Sequence, residues 1–330
     1  METAQLQQQL FKHIKSALPP HISLPDALGE LLNLSSDSVY RRIRGEKPLT
    51  LGELQTICHH YKLSVDQLLS LNSDSFVFSA PDFDGEKVPF VEVLKGMLKQ
   101  LQYFNSFGKK EMLYLCKDMP IWQFYLYPEL GAFKSFVWAK TIHNDLALAG
   151  KGFSLNEHAF EDCNTVGRQM LETYNQIPSV ELWNEESINS TISQIKYFKD
   201  SGGFASRADL LAVVESFERT LAHLKQQSEK GVKFIPGAPD TQYKAPIYVY
   251  VNEIVIGTNT IMVELDSVKL AFLTYNVFNY MHTRNQEFNE RVFKGFHTLR
   301  SRSALISGTG EKERNRFYNS LLMRVQLLKD

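Results

Sequence analysis

Cysteine is scarce in this chain. Three occur in 330 residues, Cys58, Cys116 and Cys163, and none has CxxC spacing. So sparse and odd a set excludes a disulfide scaffold and a cysteine-based zinc site, and a reducing, cytoplasmic location is expected. No run of 18 apolar residues occurs, so no membrane-spanning helix is expected. The opening METAQLQQQLFKHIKSALPP is polar and amphipathic without a signal-peptide core, which argues against secretion. Charge is balanced: 36 Lys and Arg against 37 Asp and Glu leave −1. Bulk charge therefore does not attract nucleic acid, and any such contact must come from a local patch. GxSxG, HExxH, DxDxDG, the phosphate-binding GxxxxGK[ST] and GxGxxG are all absent; an enzyme is not expected, nor is a cofactor or a metal. No repeat of 20–50 residues is visible.

What remains is ordinary globular material, 43% apolar and 22% charged, enough for two domains with substantial cores. The division falls at NSDSFVFSAPDFDGE, where Asn, Ser, Asp, Pro and Gly mix with acids. Residues 1–72 then form one domain, 73–86 a linker and 87–330 a second domain. Phe76-Val77-Phe78 is too apolar for a free tether. It reads either as a segment that docks on a neighbour or as a short edge strand of the second domain.

Five short helices are predicted in the first domain. Leu6, Leu10, Ile14 and Ala17 make the stripe of the first. The second opens at Ser23 with Pro25 and Asp26, and the third runs from Ser35 through Arg44 to Gly45. Capping boxes open the fourth (Thr50–Glu53) and the fifth (Ser64–Gln67), each satisfying backbone N–H groups that a helix start leaves unpaired.

The second domain reads as α+β. Helices are expected over 89–107, 129–149, 154–176, 185–200, 206–230, 284–303 and 310–328, and strands over 111–116 and 121–127. After PGAPD the period becomes strand-like, and IYVYVNEIVIG, TIMVEL and VKLAFLTYN predict a three-stranded antiparallel meander turning at 257–259 and 266–267.

Residues 24–69 carry the most specific pattern. Its marked positions are Gly29, Asn33-Leu34-Ser35, Val39, Gly45 and Leu63-Ser64-Val65. This pattern resembles the XRE-type (phage repressor and Cro) helix-turn-helix regulators, in a variant similar to BetR-type N-terminal domains. The resemblance covers about residues 5–70. It implies an all-α, lambda-repressor-like helix-turn-helix domain whose recognition helix, about 35–44, lies in the major groove of double-stranded DNA. It also implies that Ser36, Asp37 and Arg41 read bases. Independently, Tyr40 and Arg44 fall on the outer face with phosphates in reach, and Ser35 at the helix start can meet another. Arg42 occupies a position where the family often buries an aromatic, so a rotated helix is expected to turn Arg42 toward DNA. The glutamine frequent at the start of the second helix is absent.

Seven basic and seven acidic residues precede residue 73, so a monomer is expected to bind DNA weakly. A homodimer formed through the second domain, on a two-part operator, would supply the affinity. That domain is further expected to sense a small-molecule or protein effector.

Other signals are weaker. Ser307-Gly-Thr309-Gly310 precedes a helix in a basic stretch and, with Arg314, is a candidate anion cradle, set against an ordinary turn. Trp122, Trp138, Trp183 and the aromatic stretch 121–138 either line an apolar pocket or fill the core. Cys58-His59-His60, His158 with Cys163, and His143 with Asp145 have spacings unsuited to ligation or catalysis. The expected function is a DNA-binding transcription regulator. The alternatives are an interaction adaptor using the helical module, and an enzyme or phosphate-binding domain fused to a DNA-binding module.

Overall fold

The structure, a computed structural model, describes residues 3–18, 22–61, 63, 65, 76–80, 88–156, 160–237, 245–254, 256–266, 268–276, 279–283 and 285–330. The chain divides into two compact units, Met1–Val77 and Phe78–Asp330. No helix among the described residues is long and apolar enough to cross a membrane.

The first unit contains four described helices: α1 (Thr3–Ala17), α2 (Leu24–Leu32), α3 (Ser36–Ile43) and α4 (Leu51–Tyr61). Leu10, Phe11 and Ile14 of α1 meet Leu24 and Leu28 of α2, Val39 of α3 and Ile57 of α4 in one small core. The expected fifth helix and its capping box lie outside the described residues apart from Val65. The Thr50–Glu53 box is formed: Thr50 N–H donates to the Glu53 carboxylate at 2.9 Å, and Glu53 N–H to the Thr50 hydroxyl at 3.2 Å.

The second unit is built on a seven-stranded mixed sheet. In chain order its elements are α5 (Phe90–Asn105), β1 (Lys110–Leu115), α6 (Pro128–Thr141), α7 (Glu161–Tyr174), β2 (Ser179–Trp183), α8 (Asn189–Asp200), α9 (Arg207–Lys230), β3 (Ile247–Val251), β4 (Thr260–Leu265), β5 (Val268–Thr274), β6 (Tyr280–Thr283), α10 (Gln286–Arg300), β7 (Ala304–Leu305) and α11 (Glu311–Gln326). The sheet order is β6-β5-β4-β1-β2-β3-β7. β1, β2 and β3 are parallel neighbours joined by helical crossovers, and antiparallel strands flank them on both sides. Alternation along β1 feeds two cores. Met112 and Tyr114 face the large one, closed by α5–α9 and α11, while Leu113 packs with Val180, Leu182 and Phe293 beneath α10.

Two expected helices are shorter, α6 ending at Thr141 and α7 starting at Glu161, and three further sequence expectations change here. Residues 121–127 do not form a strand: Ile121–Leu126 is a 3-10 helix between Pro120 and Pro128, with all six side chains buried. The predicted meander is wrong in its first member. β3 lies parallel to β2 at the far side of β1, so the 257–259 segment crosses rather than turns back. Asn259 anchors that crossing, its side chain accepting from Asp118 N–H at 2.8 Å and its carbonyl from the Thr274 hydroxyl at 3.1 Å. The antiparallel meander is β4-β5-β6 instead. The third change is an addition, because β2 was not foreseen. It is buried at every position and so shows no alternation.

A polar cluster sits inside this buried centre. The Glu181 carboxylate accepts from the Trp183 indole at 2.7 Å and from the Tyr174 hydroxyl. Lys233 donates to the Ile177 carbonyl at 2.6 Å and lies 3.4 Å from the Tyr174 ring centre. Burial pushes the Glu181 carboxyl up and the Lys233 amine down. Each stays tied to partners, as buried polar groups require.

Of the proposed linker, residues 76–80 are described, and Ser79 exchanges backbone hydrogen bonds with His282 of β6 at 2.8 and 2.9 Å. Phe78 meets the Phe288 ring edge-on at 5.1 Å. The chain just after the division is therefore part of the second unit's edge.

Leu182, fully buried on β2, tests the central strand. Leu182→Ala should cost about 2–5 kcal/mol. Calorimetry of the full chain should show the transition of the larger unit lowered by ~5–15 °C and that of the helical unit unchanged.

Candidate nucleic-acid interface

The turn between α2 and α3 forces one face of α3 outward. Asn33 closes α2 in the left-handed region, φ 51° and ψ 52°, and Leu34 N–H returns to the Gly29 carbonyl at 3.0 Å. A Cβ on Gly29 would stand 3.3 Å from the Leu34 carbonyl oxygen and 3.9 Å from Val39 Cγ2, so a small residue lets α3 close on α2. Ser35 caps α3, its hydroxyl accepting from Ser38 N–H at 3.4 Å. At the other end Gly45, φ +80°, turns the chain beside Ala4 of α1.

Ser35, Ser36, Asp37, Tyr40, Arg41 and Arg44 are all exposed, and Val39 is buried. Five of these six lie on α3 or its last turn, at positions 36, 37, 40, 41 and 44, a single stripe at helical spacing. The two outward arginines leave 53% and 54% of their side chains exposed.

Arg42 does not belong to this stripe. Its side chain is only 4% exposed, and the expectation that it faces DNA is corrected. Its guanidinium forms a two-pronged pair with Glu53 of α4, Nη2 to Oε1 at 2.6 Å and Nε to Oε2 at 3.2 Å, while Nη1 donates to the Ser38 carbonyl at 3.0 Å. The position is filled by an inward arginine because α4 supplies the carboxylate. Sequence reasoning missed this, although the signal was present: Glu53 had been assigned to a cap alone, and its carboxylate can serve both roles.

Gln7 of α1 completes the support. Its buried amide donates to the carbonyls of Arg42 (2.6 Å) and Lys47 (2.9 Å) and accepts from Leu49 N–H (2.9 Å). Three segments thus meet on one side chain.

Electrostatics on the outer face are self-limited. Arg44 binds Glu46 through Nε at 2.6 Å and Nη2 at 3.1 Å, and Arg41 approaches the same carboxylate at 3.8 Å. The bond from Arg44 holds the Glu46 carboxyl below its ordinary value. For Glu53, burial alone would raise the carboxyl, but the Arg42 and Thr50 hydrogen bonds outweigh it and hold the group below its ordinary value.

The anion cradle predicted at 307–314 is not assembled as expected. Arg314 is buried and donates to the Ile306 and Gly308 carbonyls at 2.9 and 3.0 Å. The Ser307 hydroxyl accepts from Val249 N–H at 3.1 Å. A Cβ on Gly310 would stand 2.4 Å from the Leu305 carbonyl oxygen, so the glycine serves close backbone packing. These groups hold the loop to β3 and turn Nη1 of Arg314 onto the loop's own carbonyls.

Elsewhere, Cys58 is buried and its thiol raised by burial, while His59 and His60 are exposed. His158 lies outside the described residues. His143 bonds the Val88 carbonyl and packs on Phe90. Trp138 and Trp183 are core, and Trp122 lines a cavity treated below.

With this geometry in view, residues 20–84 match the BetR domain, a helix-turn-helix family. No curated protein and no solved structure matches the chain.

Glu53→Gln would leave Arg42 charged and buried without its counterion. The helical unit should lose about 2–4 kcal/mol, the low end reflecting the partial exposure of Glu53. In the native protein the lowered Glu53 carboxyl stabilises the unit above pH 4.5 and ceases to do so as pH falls through the folded value. Acid unfolding followed by circular dichroism should show that loss in the native chain, and a flatter profile in Glu53→Gln.

Proposed function

We propose that the chain is a sequence-specific DNA-binding transcription regulator. The observation that carries this reading is the exposed stripe of α3, where Ser36, Asp37, Tyr40, Arg41 and Arg44 face out while Val39 and Arg42 face in. The BetR match over residues 20–84 supports it.

In the proposed complex α3 enters the major groove as the recognition helix of a helix-turn-helix. Arg41 donates to guanine O6 and N7, Asp37 accepts from a cytosine amine, and Ser36 bonds either base edge. Tyr40 and Arg44 bind phosphates, and Ser35 presents the α3 N-terminus to a third. The pair with Glu46 is exchanged for a phosphate when Arg44 docks. Balanced charge in the helical unit makes a single copy a weak binder, so the second unit acts as the dimerisation and effector domain of a cytoplasmic homodimer on paired half-sites.

Selection of DNA from random fragments with the full chain, followed by salt titration, tests the reading. Arg41→Ala should cost about 1–3 kcal/mol on the selected site and relax its base preference; Arg44→Ala should weaken all sites alike and reduce the salt slope by about 1. Equal losses on every sequence for both variants would remove the division of labour. Binding without steep salt dependence, or no selected sequence, would remove the regulator reading in favour of a protein-interaction module.

A further inference from the structure

We propose that the second unit binds a small uncharged molecule of ~10 heavy atoms carrying a hydroxyl or carbonyl, in a cavity between α5 and the β4-β5-β6 edge. We further propose that occupancy restrains Ser79, the residue pairing the incoming chain to that edge.

The cavity has a volume of about 260 Å³. A dry cavity of roughly 150 Å³ accommodates benzene, so this space suits a somewhat larger ring system. Leu101 and Phe104 of α5 form one wall, Ile261 and Phe272 of the sheet another, and Trp122 and Tyr280 contribute aromatic surface. Among the described residues, no Asp, Glu, Lys or Arg lines it. A charged ligand would lose its hydration there without a compensating ion, whereas an apolar one gains from leaving water.

Polarity is concentrated at the edge strand. The hydroxyls of Tyr280 and Tyr114 pair at 2.9 Å. One hydrogen bond between two phenols uses one of their two protons. With Tyr114 as donor, the Tyr280 proton is left for another acceptor, and an oxygen on the occupant would supply one.

The same strand holds the chain that leaves the helical unit. His282 lines the cavity, stacks on Phe272 at 5.2 Å, and exchanges both backbone hydrogen bonds with Ser79. β6 is four residues long, and its β-pairing among the described residues is with β5 and Ser79. A ligand packed on Tyr280 and His282 restrains a short edge strand, and the Ser79 pairing is restrained with it. This gives the effector function proposed above a location and a ligand class; ligand binding itself does not depend on that reading.

The test uses the full chain with 1-naphthol as the neutral probe and 1-naphthoate as its charged counterpart. Calorimetric titration should show one saturable site for 1-naphthol and at least tenfold weaker binding of 1-naphthoate. Met97→Trp and Gln100→Trp, which fill the space from α5, should each weaken 1-naphthol at least tenfold; two variants guard against misfolding, checked by an unchanged circular dichroism spectrum. Tyr280→Phe should weaken it several-fold. Amide exchange at Ser79 and His282 should slow at least threefold with the probe bound. Absent saturation, equal binding of the anion, undiminished binding by both filled variants, or unchanged exchange at Ser79 would overturn the proposal. Since no step uses DNA, naphthol binding by a chain that selects no DNA would remove only the regulator reading. DNA selection without naphthol binding would remove only this one.

Discussion

The roll of α3 about its own axis is fixed by the buried pair between Arg42 and Glu53, and the character of the outer surface follows from it. An arginine at this position can point inward only if a carboxylate meets it, and α4 supplies one at 2.6 Å. With Arg42 and Val39 inward, positions 37, 41 and 44 face outward by helical geometry. A buried ion pair contributes little net stability compared with an apolar replacement, yet removing one partner is costly. Its role here is to exclude other rotations of the helix. Gln7 reinforces that selection by tying α1 to the chain on either side of Gly45.

Charge tells a complementary story on the outside. The two outward arginines share Glu46 as an intramolecular counterion. Exposed pairs of this kind contribute little to stability, but they lower the positive potential of the outer face. The outer face is therefore exposed while its positive field is kept low.

Much of the helical unit was legible because each of its signals is local. Gly29, Asn33, Ser35, Thr50 and Glu53 act within a few residues of themselves, and the turn and cap they predict are formed. Arg42 was misread because its partner is eleven residues away on another helix. The larger unit gave up its helices readily and its sheet poorly. β2 is buried on both faces and includes Ser179 and Glu181, so neither alternation nor unbroken apolarity marked it. β3 reads as a hairpin partner of β4 in sequence, yet two strands stand between them. The loop at 307–310 was ambiguous for a related reason. Glycines and a basic residue before a helix carry the same pattern whether they hold an anion or, as with Arg314, satisfy their own loop carbonyls.

The pairing of β1 with β4 joins residues 110–115 to 260–265. During synthesis the sheet cannot close on its antiparallel side until that later segment has left the ribosome. The helical unit, whose core residues all lie between positions 10 and 63, is synthesised long before. A nascent chain would then present α3 while the later strands of the sheet are still to be made, so translation order itself separates the folding of the two units.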